Sequence, residues 1–126
     1  MTRRFLSFGA IGAGLAVGFG AFGAHGLKTV LSAEMLAVWQ TGVNYQMWHS
    51  LGLILVSLLL QSAQNAKQLH WAGGLMLVGM VLFSGSLYGL ALTEIKALGM
   101  ITPLGGLCFL AAWGLVTHFS LTKHQP

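Results

Sequence analysis

Two segments concentrate the side chains able to do chemistry in this chain of 126 residues. The first is Gly23-Ala24-His25-Gly26-Leu27. The second runs from Trp39 to His49 and holds Gln40, Thr41, Asn44, Tyr45, Gln46 and His49. On a helix, Tyr45 and His49 are four residues apart and share a face, and Gln46 adjoins His49 at a spacing of three. His25, Asn44, Tyr45, Gln46 and His49 therefore form the candidate polar cluster, with the two histidines expected to meet. Three readings are open. The cluster is a hydrogen-bonded network that fixes one helix on another, a site that binds a small ligand or relays protons, or a metal site. The last has the poorest donor set, because His with Asn and Gln is not a zinc set.

Other chemistry is excluded by composition. The chain has no Asp, so no Ser-His-Asp triad exists, and Glu34 and Glu94 are the only acids. There is no phosphate loop. The single cysteine, Cys108, lies in an apolar run, where a thiol packs as a small hydrophobe. His49 and His118 are expected near opposite faces of a membrane, which rules out a haem held between them. No catalytic residue, metal or cofactor is expected, and an enzyme is the least favoured class.

The elements that must position these residues follow from the charges. Only 6% of the chain is charged and 56% is hydrophobic, against about 25% charged in an average soluble domain. Uncharged stretches of 23, 32, 26 and 26 residues separate Arg4, Lys28, Glu34, Lys67, Glu94, Lys96 and Lys123. Each exceeds the roughly 18 apolar residues that mark a membrane span. A charge at the bilayer centre costs at least about 2.5 kcal/mol, so the charges sit at the breaks. The fold class is all-α: a single domain, residues 1–126, forming an integral membrane bundle of four transmembrane helices. These are expected at about 5–24, 33–60, 69–92 and 103–121. Gly26 is the expected left-handed stop of the first helix. Ser32 caps the second, with Glu34 in its first turn. Thr102 caps the fourth, with Pro103 in its first turn.

Four crossings put both termini and the middle loop on one side. That side carries Arg3, Arg4, Lys67 and Lys123, while the other has Lys28 and Lys96. The positive-inside rule makes the termini cytoplasmic. Trp71 near the inner end, and Trp39 and Tyr88 near the outer face, fit aromatic belts. Arg3-Arg4 followed by an apolar run imitates a secretory signal, but that run is longer than a usual signal core. The six cations are scattered, so nucleic acid is not an expected partner.

Small residues recur every fourth position on the first helix. Ala10, Gly14 and Gly18 form one row, and Gly12, Ala16, Gly20 and Ala24 another. Gly85 and Gly89 repeat the device on the third helix. Such rows let helices approach closely in lipid, so helix packing at Gly14, Gly18, Gly85 and Gly89 is expected, within the bundle or between copies. Association with itself or with another membrane protein is the leading function. A transporter or channel component with a polar site at the outer ends of the first two helices is the runner-up.

Gly20-Ala21-Phe22-Gly23-Ala24-His25-Gly26-Leu27 resembles the signature of the YgdD-like, or YwdK-like, small inner-membrane proteins. The stretch Trp39 to Leu51 is similar to that family's second block, and Phe83-Ser84-Gly85-Ser86-Leu87-Tyr88 with Ile101-Thr102-Pro103-Leu104-Gly105-Gly106 extends the likeness over essentially the whole chain. The resemblance implies about four helices in the inner (plasma) membrane. It carries over no catalytic residue and no established activity.

The charge asymmetry yields a first prediction. A reporter active only in the cytoplasm is expected to work when fused after Pro126 and to be silent when inserted within residues 93–99. The reverse pattern would invert the orientation.

Overall fold

The structure, a computed structural model, describes residues 2–122. Lys123 and His124 lie outside the described residues. Four α-helices follow one another: α1 (Thr2–His25), α2 (Ala33–Ser62), α3 (Lys67–Thr93) and α4 (Thr102–Leu121). All four segments are long and apolar enough to cross a membrane. Among the described residues there is no strand.

The ends of the helices show why the chain turns where it does. Ser32 caps α2 as expected, its hydroxyl accepting from the Met35 backbone N–H at 3.1 Å. Two other expected ends differ. Gly26 does not adopt a left-handed conformation. Instead its N–H and that of Leu27 both donate to the Phe22 carbonyl, at 2.7 and 3.0 Å. Thr102 does not cap α4 but is its first residue, and its hydroxyl pairs with Ser86 Oγ at 2.6 Å. That bond ties the start of α4 to α3. The left-handed position belongs to Glu94, φ 57°, which closes α3. A short 3-10 helix, Lys96–Met100, then carries the chain over to α4. Periodicity gave no sign of it.

Neighbouring helices run antiparallel. Three side-chain rungs from α2 reach carbonyls of α1: Trp39 Nε1 to Phe19 at 2.9 Å, Gln46 Nε2 to Gly12 at 2.8 Å and Ser57 Oγ to Thr2 at 3.0 Å. Ser84 Oγ of α3 donates to the Gly42 carbonyl of α2 at 2.7 Å. α2 and α3 form the central pair, α1 packs mainly on α2, and α4 mainly on α3. Phe5, Leu53, Leu60, Leu69 and Met76 fill the half of the core near the termini. Trp39, Val43, Ala16 and Ala91 fill the other half. Trp39 and Tyr88 are thus not belt residues. Their rings pack on each other inside the bundle, centroids 4.6 Å apart. Trp71 alone of the three is on the surface, 68% exposed.

The glycines that close this packing are not the ones the sequence singled out. A Cβ at Gly14, Gly18 or Gly85 would meet nothing within 4 Å, and one at Gly89 would meet only Leu98 Cδ1, at 3.0 Å. The tight approaches are elsewhere. A Cβ at Gly9 would lie 2.7 Å from the Ser50 carbonyl oxygen, and one at Gly105 would lie 2.5 Å from the Phe83 backbone nitrogen and 2.9 Å from the Gly79 carbonyl oxygen. At both places backbone meets backbone, and neither side can yield. Gly105→Ala is therefore expected to lower stability by about 1–3 kcal/mol, the usual cost of overpacking, whereas Gly85→Ala should not lower it. Unfolding in mixed detergent, followed by circular dichroism, reads the difference.

Candidate functional site

The chemistry-bearing residues gather at the middle of the helices. Met80 is the central residue of α3, and Ser50 Oγ of α2 lies 3.5 Å from its sulfur. Within one turn of Ser50, Gln46 and His49 project from α2 into the bundle, and both are buried. A polar side chain in hydrocarbon needs partners, and each polar atom of these two has one. Gln46 donates through Nε2 to the Gly12 carbonyl at 2.8 Å and accepts at Oε1 from the Tyr88 hydroxyl at 2.6 Å. One amide therefore joins α1, α2 and α3.

His49 completes the tie to α4. Its Nδ1 is 2.8 Å from the Tyr45 carbonyl oxygen, which can only accept, so Nδ1 is assigned the proton. Nε2 is then the acceptor for the Trp113 indole N–H at 3.0 Å. The Phe109 ring covers the imidazole face to face, with centroids 3.5 Å apart and planes 10° apart. Neither ring nitrogen is left for a metal or a proton acceptor. Among the described residues, every buried side-chain nitrogen and oxygen has a hydrogen-bond partner.

The expected cluster is therefore only partly assembled. Gln46 and His49 belong to one buried layer. Tyr45 stands beside it, parallel to the His49 ring and tilted against that of Phe83, with ring centroids 6.1 and 4.3 Å away. Asn44 points outward and accepts from Gln40 on the same exposed face, at 2.9 Å. His25 is exposed at the far end of α1. The rungs at Gly12–Gln46 and Phe19–Trp39 fix the register, and in that register His25 and His49 are offset by about 24 Å along the helix axis, at about 1.5 Å per residue. The expectation that the two histidines meet fails for this reason. His49 is a residue of the helix centre, not of the outer end.

Sequence reading missed Tyr88, Phe109 and Trp113 as members of this layer. For Trp113 there was a signal. An indole N–H in the middle of an uncharged span needs an acceptor, and a mid-helix histidine is the best one this chain offers.

A family model described as a protein of unknown function (DUF423) matches residues 19–106. The chain is 51% identical over 111 residues to the UPF0382 membrane protein SH2409 of Staphylococcus haemolyticus, covering 88% of this chain and 89% of that protein. It is 51% identical over 114 residues to the UPF0382 membrane protein YwdK of Bacillus subtilis, covering 90% and 93%. With SSP2132 of Staphylococcus saprophyticus the identity is 49%, over 88% and 91%. No solved structure matches the chain.

The two histidines should behave independently. His49→Ala strands the Trp113 N–H and opens a void beneath Phe109, so a loss of about 2–4 kcal/mol is expected from one unpaired donor plus lost packing. His25→Ala should be neutral, and the double variant should equal the sum, as for distant sites. Thermal melts in detergent measure this. Strong non-additivity would restore the joint site.

Proposed function

The chain belongs to the DUF423 family of membrane proteins, and we propose that it acts by helix association in the inner membrane, termini cytoplasmic, pairing through the outer face of α1 with a second copy or another membrane helix. One observation carries this reading. Ser7, Ala10, Gly14, Gly18 and Ala21 all lie exposed on that face. A side chain at Gly14 or Gly18 would meet only open space within the protomer, so the bundle itself has no need of glycine there. Glycine in a helix interior costs about 1 kcal/mol relative to alanine, and a lipid-facing surface gives nothing back. Close contact with another helix does, because in lipid helices associate by backbone approach and van der Waals packing.

The orientation has support from the cations. Arg3, Arg4 and Lys67 lie at the end of the bundle that holds both termini, which the positive-inside rule assigns to the cytoplasm. The transporter reading has less support. It joined His25 to Tyr45 and His49, from which the register holds it apart, and the polar atoms of Gln46 and His49 are engaged by Gly12, Tyr88, Tyr45 and Trp113.

Substituting the face tests the association. Gly18→Leu should abolish pairing without lowering the thermal stability of the protomer. A cysteine at position 14, in a Cys108→Ser background, should form disulfide-linked pairs in membranes, and Gly18→Leu should remove them. Sedimentation of an unpaired protomer at every detergent ratio, with no membrane protein co-purifying, would refute the reading.

A further inference from the structure

A groove on the side of the bundle, between α2, α3 and α4, has a volume of about 650 Å³. Its aromatic walls are Tyr45, Trp48 and His49 of α2, Phe83 of α3, and Phe109 and Trp113 of α4. The polar atoms of His49 and of Trp113 are already committed. Two other donors are not. Among the described residues, neither the Tyr45 hydroxyl nor the Trp48 indole N–H makes a hydrogen bond, and both side chains reach the surface of the bundle. Their rings are neighbours, with centroids 4.9 Å apart.

The position of that pair is what makes it informative. Trp48 is 53% exposed, yet it is at the centre of α2, more than about 20 Å from either end of the helix at 1.5 Å per residue. Tryptophan normally sits at the membrane surface, where its N–H meets water or headgroups. At the middle of the bilayer neither is in reach. Two adjacent donors without acceptors are costly in hydrocarbon, and a molecule dissolved in the bilayer can supply the acceptor.

We propose that this groove binds a quinone-type lipid, a flat neutral ring bearing carbonyl oxygens on an apolar tail. Each part of that ligand answers a feature of the wall. The carbonyl accepts from the Tyr45 hydroxyl and the Trp48 N–H. The ring stacks among the aromatic side chains, where offset and edge contacts add to simple burial. No charged side chain lines the groove, so the ligand is neutral. The tail keeps the ring in the bilayer interior. An acyl chain offers no acceptor, and phospholipid ester carbonyls lie about 15 Å away, at the edge of a hydrocarbon core about 30 Å thick. The volume falls in the usual range of small-molecule sites, about 300–1,000 Å³. The groove uses no residue of α1, so the site stands apart from the pairing face.

The experiment uses the full chain in nanodiscs of phosphatidylcholine and phosphatidylglycerol without quinone, titrated with ubiquinone-1. Calorimetry and tryptophan quenching should show saturable binding of one molecule per chain. Tyr45→Phe and Trp48→Phe should each weaken it roughly five- to tenfold, the worth of one neutral hydrogen bond, with melting curves unchanged. Farnesol, an isoprenoid without a ring carbonyl, should not compete, and Gly74→Leu on α3, away from the groove, should bind as the wild type does. Quenching that rises without saturation and equally in all variants would mean partitioning only, and would overturn the site. Equal competition by farnesol would overturn the recognition of the ring. Cysteine crosslinks between copies at position 48 that ubiquinone-1 leaves unchanged would assign the groove to a second protomer instead.

Discussion

Gln46 has both ends of its amide engaged, and the arrangement of the bundle depends on that. Removed from water, an amide must find a donor and an acceptor inside the protein, since the bilayer core has neither. Here the acceptor is the Gly12 carbonyl of α1 and the donor is the Tyr88 hydroxyl of α3. The two bonds set the heights of three helices with one side chain. His49, one turn along, extends the same constraint to α4 through Trp113. Apolar packing alone would tolerate sliding of one helix along another. A saturated polar layer at the helix centres does not, because each slip of a turn would leave several groups unpaired at about 1–3 kcal/mol apiece.

The glycines make that layer reachable. At Gly9 and at Gly105 the helices touch through their backbones, which brings α1 within reach of the Ser and Gln side chains of α2, and α4 close enough for Phe109 to cover His49. Close approach and polar pairing are two aspects of one design. Neither the short rungs nor the 3.5 Å stack of Phe109 on His49 would survive wider spacing. The outward glycines at Gly14 and Gly18 have no such partner within the protomer.

The four helices were legible in the sequence because charge is nearly forbidden in hydrocarbon, so seven charged positions outline the spans almost unaided. Ser32 was legible because capping is local chemistry. The layer around Gln46 was half legible. Polar residues in an apolar span announce that partners exist, but spacing along one helix says nothing about depth on the next. His25 was wrongly joined to His49 because both lie toward the same end of their segments in sequence, and only the register set by Trp39 and Gln46 shows that α2 extends well past that point. The two small-residue rows of α1 were legible, but not the direction each faces. Periodicity finds the rows and cannot say which one turns inward.

The bond between Trp113 and His49 also has an order in time. Its partners are 64 residues apart, and a chain made at roughly 5–20 residues per second completes that interval in roughly 3–13 s. The Gly12 carbonyl precedes Gln46 in synthesis, so the α1–α2 hairpin can be tied as soon as it enters the bilayer. His49 enters with it, but its Nε2 waits for α4. For those seconds the nascent protein holds an open acceptor deep in the membrane, and the arrival of the last helix is what seals it.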